Sequence, residues 1–225
     1  MQVPDVRQRS GLPAKASEWL SLLLSPELIR LLTILVRVVN EKLTQMRQRG
    51  TYEVLEYEVV LELRDTRGRD AVYTKRERVR FLQESSTFYD YGWGDGEAFA
   101  SHRVKPGRIV ERRQVGPRQR SLIALERPRG RGDLLTYVIR RHIKGGFCRP
   151  GEWWLEAEVY HRMHLLSLEI VLPASRMVRR ADLVTQRSQA TVPVTIERCA
   201  DGRQRVYYSR RSPELGERYT LRWVW

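Results

Sequence analysis

His161 and His164 stand three residues apart within Glu152 to Pro173, a stretch that otherwise alternates apolar and polar residues. Two imidazoles are zinc-ligand types, and zinc held there would support hydrolysis. A site needs a third ligand, and Cys148, His142 and Glu158 are the nearby candidates. On a strand or in a tight bend the two rings need not converge, so no metal ligand is assigned. A cysteine nucleophile would combine Cys148 with His142 or His161 and with Glu156, but no local motif surrounds them. No glycine loop followed by lysine cradles a phosphate, and no dinucleotide fingerprint is present. Gly92, Gly94 and Gly96, in the loop expected over Phe88 to Glu97, come nearest, and no helix pattern follows them. Asp90, Asp95 and Glu97 do not fit the twelve-residue calcium loop. The expectation is a non-enzyme with no catalytic residue, no metal and no cofactor.

Arginine is the other chemistry-bearing residue. The net charge is +14 over 225 residues, and only five of the 41 basic residues are lysines. Guanidinium forks match phosphates and carboxylates. Such a charge favours a nucleic acid, an anionic membrane surface or an acidic protein as partner. Arg76, Arg78 and Arg80 alternate with apolar residues and predict a positive stripe on one strand face. Glu56, Glu58 and Glu62 on the preceding strand are the acids that would neutralise it. Arg112, Arg113, Arg118 and Arg120 lie in a second basic run, Arg103 to Arg120, expected as a loop surface for phosphate.

The elements that must position these groups fall into two parts. Residues 1–50 read as an arm, Met1 to Lys15, followed by helix. Ser25 suits an N-cap, Pro26 the first helical position and Gly50 a stop. Leu28, Leu31, Leu32 and Leu35 make an apolar stripe at helical spacing, a candidate surface for a partner helix or a second copy. Membrane spanning is not expected. Glu27, Arg30 and Arg37 interrupt the run, and each charge at mid-membrane costs on the order of 2.5–3.5 kcal/mol. Two cysteines, Cys148 and Cys199, make no disulfide framework, and no secretory signal opens the chain. Both point to the cytoplasm.

From residue 51 to 225 the period becomes two. Leu55 to Leu63, Ala71 to Leu82, Leu135 to Ile143, Val192 to Ile196 and Tyr219 to Trp225 each alternate. Turn signals such as Asp65 to Gly68 and Asp201-Gly202 separate them. Arg131-Gly132-Asp133 is read as a turn. About nine short strands without interleaved helices predict a mainly β body, a β-sandwich, with an N-terminal helical segment. Glu152 to Pro173 is expected to form its central hairpin, bent at the two histidines. Ala174 to Gln189 is expected as a long polar connection.

Trp93-Gly94-Asp95-Gly96-Glu97, Pro106-Gly107, Arg131-Gly132-Asp133, Pro173 and the ending Tyr219 to Trp225 resemble an uncharacterised bacterial β-rich family. It is similar to modules found beside signalling or conflict-system proteins. The resemblance implies an accessory or interaction role and carries no activity or site residues. The leading expectation is therefore a non-enzymatic bacterial interaction or adaptor module, part of a signalling or defence complex. It would meet a protein partner or form a homo-oligomer through the N-terminal helix. An arginine-rich nucleic-acid-binding protein is the alternative. A metal-dependent hydrolase using His161 and His164 is the third reading.

Overall fold

The computed structural model describes residues 26–48, 50–93, 101–115, 118–149 and 153–225; the side chains of 37, 38, 40–48, 93, 115 and 118 are outside that description. The arm expected over Met1 to Lys15 and the N-cap at Ser25 lie outside the described residues. The chain divides into two compact units, Met1–Met46 and Arg47–Trp225.

In the first unit, α1 spans Pro26–Gln48. Proline lacks the N–H that a first-turn residue would leave unbonded, so it opens the helix without cost. Glu27 lies in the first turn, where the helix dipole favours an acid. No described helix is long and apolar enough to cross a membrane.

The second unit is β throughout, with fourteen strands among the described residues. In chain order they are β1 (Tyr52–Leu63), β2 (Asp70–Phe81), β3 (Ser85–Trp93), β4 (Arg103–Lys105), β5 (Arg108–Val115), β6 (Arg118–Arg129) and β7 (Leu134–Lys144). Then come β8 (Trp154–Glu158), β9 (Leu165–Leu172), β10 (Arg180–Thr185), β11 (Thr191–Val192), β12 (Thr195–Arg198), β13 (Gln204–Arg211) and β14 (Arg218–Val224). They form three sheets. One has seven strands in the order β12-β13-β9-β1-β2-β7-β4, one has four (β11-β10-β14-β8), and one has three (β3-β6-β5). Within the seven-stranded sheet β1 runs parallel to β9, and its other pairs are antiparallel.

Alternation builds a common core. Val59, Leu61 and Leu63 of β1, and Leu166, Leu168, Ile170 and Leu172 of β9, are fully buried. They join Leu155 and Ala157 of β8, Leu183 of β10 and Leu221 and Trp223 of β14 in one apolar cluster. Phe88 of β3 and Ile123 of β6 bring the three-stranded sheet into the same cluster. Each such side chain stabilises the fold by about 1.5–3 kcal/mol. The sheet-on-sheet β architecture is as expected, with more strands than the nine counted from turn signals.

Five local expectations are corrected. Glu152 to Pro173 is not a hairpin. β8 pairs with β14 in the four-stranded sheet, whereas β9 lies between β1 and β13 in the seven-stranded sheet. The histidine segment is the crossing between sheets. It is tied to β1 by the Val54 N–H donating to the Arg162 carbonyl (2.8 Å) and the His164 N–H donating to the Val54 carbonyl (2.9 Å). Phe88 to Glu97 begins as strand, because Phe88 and Asp90 alternate inwards along β3; residues 94–97 lie outside the described residues. Arg103 to Arg120 is β4, β5 and the start of β6, and the polar passage Ala174 to Gln189 contains β10. The single strand expected over Val192 to Ile196 is divided at Pro193 between β11 and β12, which belong to different sheets. Proline has no N–H for a ladder.

The first turn of the body follows expectation. The Asp65 carboxylate accepts the backbone N–H groups of Arg67 (2.6 Å), Arg69 (3.2 Å) and Asp70 (2.6 Å). Gly68 adopts φ +68°, and a Cβ there would lie 2.1 Å from the Phe147 carbonyl oxygen. Only glycine fits this turn.

Candidate functional site

The strongest concentration of ionisable groups is buried between the seven-stranded and three-stranded sheets. Inward alternation along β2 carries Ala71, Tyr73, Lys75, Glu77, Val79 and Phe81 to one face. Along β7 it carries Tyr137, Ile139 and Arg141. Asp90 meets them from β3. Lys75 Nζ lies 2.6 Å from Asp90 Oδ1 and 2.7 Å from Glu77 Oε1. Arg141 pairs with the other oxygen of Asp90. The Tyr137 hydroxyl donates to Glu77 Oε2 at 2.6 Å. His102 Nε2 lies 3.6 Å from Asp90 Oδ2. Lys75, Glu77, Asp90, His102 and Arg141 are all buried. The Arg141 guanidinium also covers the Tyr73 ring, 5.0 Å from its centroid.

Two carboxylates thus meet two cations. Burial alone would push the Asp90 carboxyl up, but Lys75 and Arg141 outweigh it and hold it below the ordinary carboxylate range. Burial would push the Lys75 amine down, but Asp90 and Glu77 keep it well above its ordinary value. Burial, with some help from Glu77, also raises the Tyr137 phenol. An amine held as ammonium is no nucleophile, and a phenol held protonated is no base. His102 is pushed down to about 4, first by burial and then by the Arg141 charge, so it is neutral at pH 7. The cluster ties sheet to sheet: breaking a buried pair leaves an unpaired charge in a dry interior, at a cost of about 3–5 kcal/mol.

The residues singled out from sequence are distributed elsewhere. Arg76, Arg78 and Arg80 occupy the outward face of β2 and do form a stripe. Each has a carboxylate: Arg76 with Glu58 (3.9 Å), Arg78 with Glu56 (3.2 Å) and Arg80 with Glu53 (3.2 Å). Glu62, the third acid expected to neutralise the stripe, pairs instead with Arg203 (2.9 Å) and Arg64 (3.7 Å). On β5, Arg113 pairs with Glu111 (3.5 Å) and Arg112 donates to the His102 carbonyl (3.4 Å). Arg120 on β6 lies over the Tyr89 ring, 4.7 Å from its centroid. The Arg118 side chain is outside the described ones. These arginines are therefore spread over two sheets.

His161 and His164 have separate partners. The His161 ring stacks on Tyr52, with centroids 4.1 Å apart. His164 Nε2 lies 3.1 Å from Glu53 Oε2, and the Glu53 carboxyl is held down chiefly by that hydrogen bond. Among the described residues no three His, Cys, Asp or Glu side chains are grouped to hold a metal ion.

The α1 candidates share one environment. Leu31, Leu32 and Leu35 are 62%, 49% and 58% exposed. Leu28 is partly exposed, and Ile29, Ile34, Val36 and Val39 are exposed with them.

No family model matches the chain, and no curated protein matches it. Among solved structures it is similar to an M1 zinc metallopeptidase from Deinococcus radiodurans, at 12% identity and a TM-score of 0.46, over 78% of this chain and 42% of that one. A mutant of that peptidase bound to a Tyr-Ser-Ala substrate gives 14% identity and the same TM-score, over 78% of this chain and 43% of that one. The chain spans less than half the length of either.

Sequence reading missed the buried cluster although its signal was present. Lys75 and Glu77 fall on the same parity as Tyr73, Val79 and Phe81, and Arg141 on the parity of Tyr137 and Ile139. A charge on the apolar parity of a strand must find a buried counter-charge.

Proposed function

We propose that the protein is a non-catalytic interaction module, with α1 as its docking element. The observation that carries this reading is the exposure of Leu31, Leu32, Ile34, Leu35 and Val36 along one helix. Leu28, Leu31, Leu32, Leu35 and Val39 follow the spacing of a helix-packing stripe. A second copy of this chain or a helix of a partner protein would cover it. The adaptor role in a signalling or defence complex belongs to this reading. So does a cytoplasmic setting, which the two free cysteines support.

Light scattering on the full chain tests it, comparing the native protein with Leu31→Glu/Leu35→Glu. The expected result is a native oligomer, or native uptake of a partner, that the double variant loses with its melting transition unchanged. A double variant that associates as the native chain does would remove α1 from the role.

A further inference from the structure

Charge on the outward face of the seven-stranded sheet is arranged in two ways. Around β1 and β2 the arginines have acids, as Arg76 and Arg78 show. At the other side, β4 is the edge strand and, among the described residues, pairs only with β7. There Arg103 lies directly opposite Arg140. Both are exposed, and neither has an ion pair or side-chain hydrogen bond among the described residues. Lys105, two residues along β4, is exposed on the same face and is equally without an acid. The other cross-strand neighbour of Arg140 is Thr74. Farther along β7, Lys144 stands opposite Asp70, and the acids Glu58 and Glu62 of β1 are two strands away from Arg140 and paired with Arg76 and with Arg203 and Arg64.

Like charges directly opposite one another destabilise a sheet. A chain that pairs its arginines across β1 and β2 leaves this pair opposed, and an anion would relieve it. Guanidinium forks take phosphate oxygens two at a time. Side chains on one strand face recur about every 6.6–6.8 Å, so Arg103, Lys105 and Arg140 form a small lattice of point charges suited to successive phosphates. Val138, Thr136, Thr74 and the partly exposed His142 lie around them, and neither β4 nor the outward face of β7 carries a Phe, Tyr or Trp ring on which an unpaired base could stack. On β4 and β7 the one large exposed apolar side chain is Leu134, too little to enter a lipid surface. We propose that the β4–β7 edge binds the phosphate backbone of a nucleic-acid duplex without reading its sequence. It does so independently of α1.

Fluorescence anisotropy with a labelled mixed-sequence DNA duplex, titrated at several salt concentrations, tests this. The native chain is expected to bind with an affinity that falls steeply as salt rises. Arg103→Gln/Lys105→Gln/Arg140→Gln should bind at least about tenfold more weakly at low salt, with a salt slope smaller by about 2–3, near 0.9 per lost phosphate contact. Arg76→Gln/Arg78→Gln should stay within about twofold, because those cations are already paired. Relief of the like-charge opposition should leave the Arg140→Gln melting temperature equal to or above the native one, which separates a binding face from a structural one. If the triple variant melts early, Arg140→Gln alone supplies the comparison. The proposal is overturned by a native chain that does not bind duplex, or by an unchanged slope in the variants. Equal loss in Arg76→Gln/Arg78→Gln would also overturn it, as would tighter binding to anionic phospholipid vesicles or to single strands.

Discussion

The two units treat apolar surface in opposite ways. In the β unit every strand of the core turns its apolar parity inwards: Leu61, Leu168, Leu221 and Trp223 are all buried. In α1 a denser set of leucine, isoleucine and valine remains about half exposed. Exposed apolar surface of that extent marks a candidate interaction site. On the proposed reading, the β unit is the scaffold and α1 is the docking element.

The largest effect should come from putting charge on the helix stripe. Leu31→Glu/Leu35→Glu removes two side chains worth about 1.5–3 kcal/mol each when buried. Association should weaken by about two orders of magnitude or more, while the β unit melts as before. An equal fall in melting temperature would show instead that the helix is part of the folding core.

Asp90→Asn strikes the other unit. It leaves Lys75 and Arg141 buried without their shared carboxylate and should cost about 3–5 kcal/mol in denaturant unfolding. Association through α1 should survive in the folded fraction. Acid should weaken the same unit through His102. The unfolded chain takes up a proton near pH 6.5, whereas the folded imidazole does so only at about 4. The unfolded state therefore binds more protons between those values, and stability falls as pH drops from about 6.5 to about 4, by about 3 kcal/mol. His102→Gln should remove that step from the pH profile of unfolding. The smallest effect belongs to the exposed stripe: Arg78→Gln should change stability by less than about 1 kcal/mol, since both Arg78 and Glu56 are nearly half exposed.

What could be read beforehand divides along physical lines. Alternation is local, so the strands around Leu55 to Leu63, Ala71 to Leu82 and Tyr219 to Trp225 were legible, as was the α1 pattern. Pairing is not local. Leu155 and Leu166 belong to neighbouring strands in sequence, yet their partners, β14 and β1, lie far away along the chain. Nothing in Glu152 to Pro173 distinguishes a hairpin from a crossing between sheets. The buried cluster was half legible: parity marks Lys75, Glu77 and Arg141 as inward, but only the fold brings Asp90 to them from β3. The stripe Arg76, Arg78, Arg80 was legible as a stripe. Its pairing with Glu58, Glu56 and Glu53 depended on strand register, which a bulge between Val54 and Glu56 shifts.

Sedimentation equilibrium of the full chain beside Leu31→Glu/Leu35→Glu, with or without a candidate partner, tests the division of labour most directly. The account predicts concentration-dependent association of the native chain with itself or with that partner, and a monomeric double variant with a native melting curve. Identical mass distributions for the two proteins under every condition would contradict it.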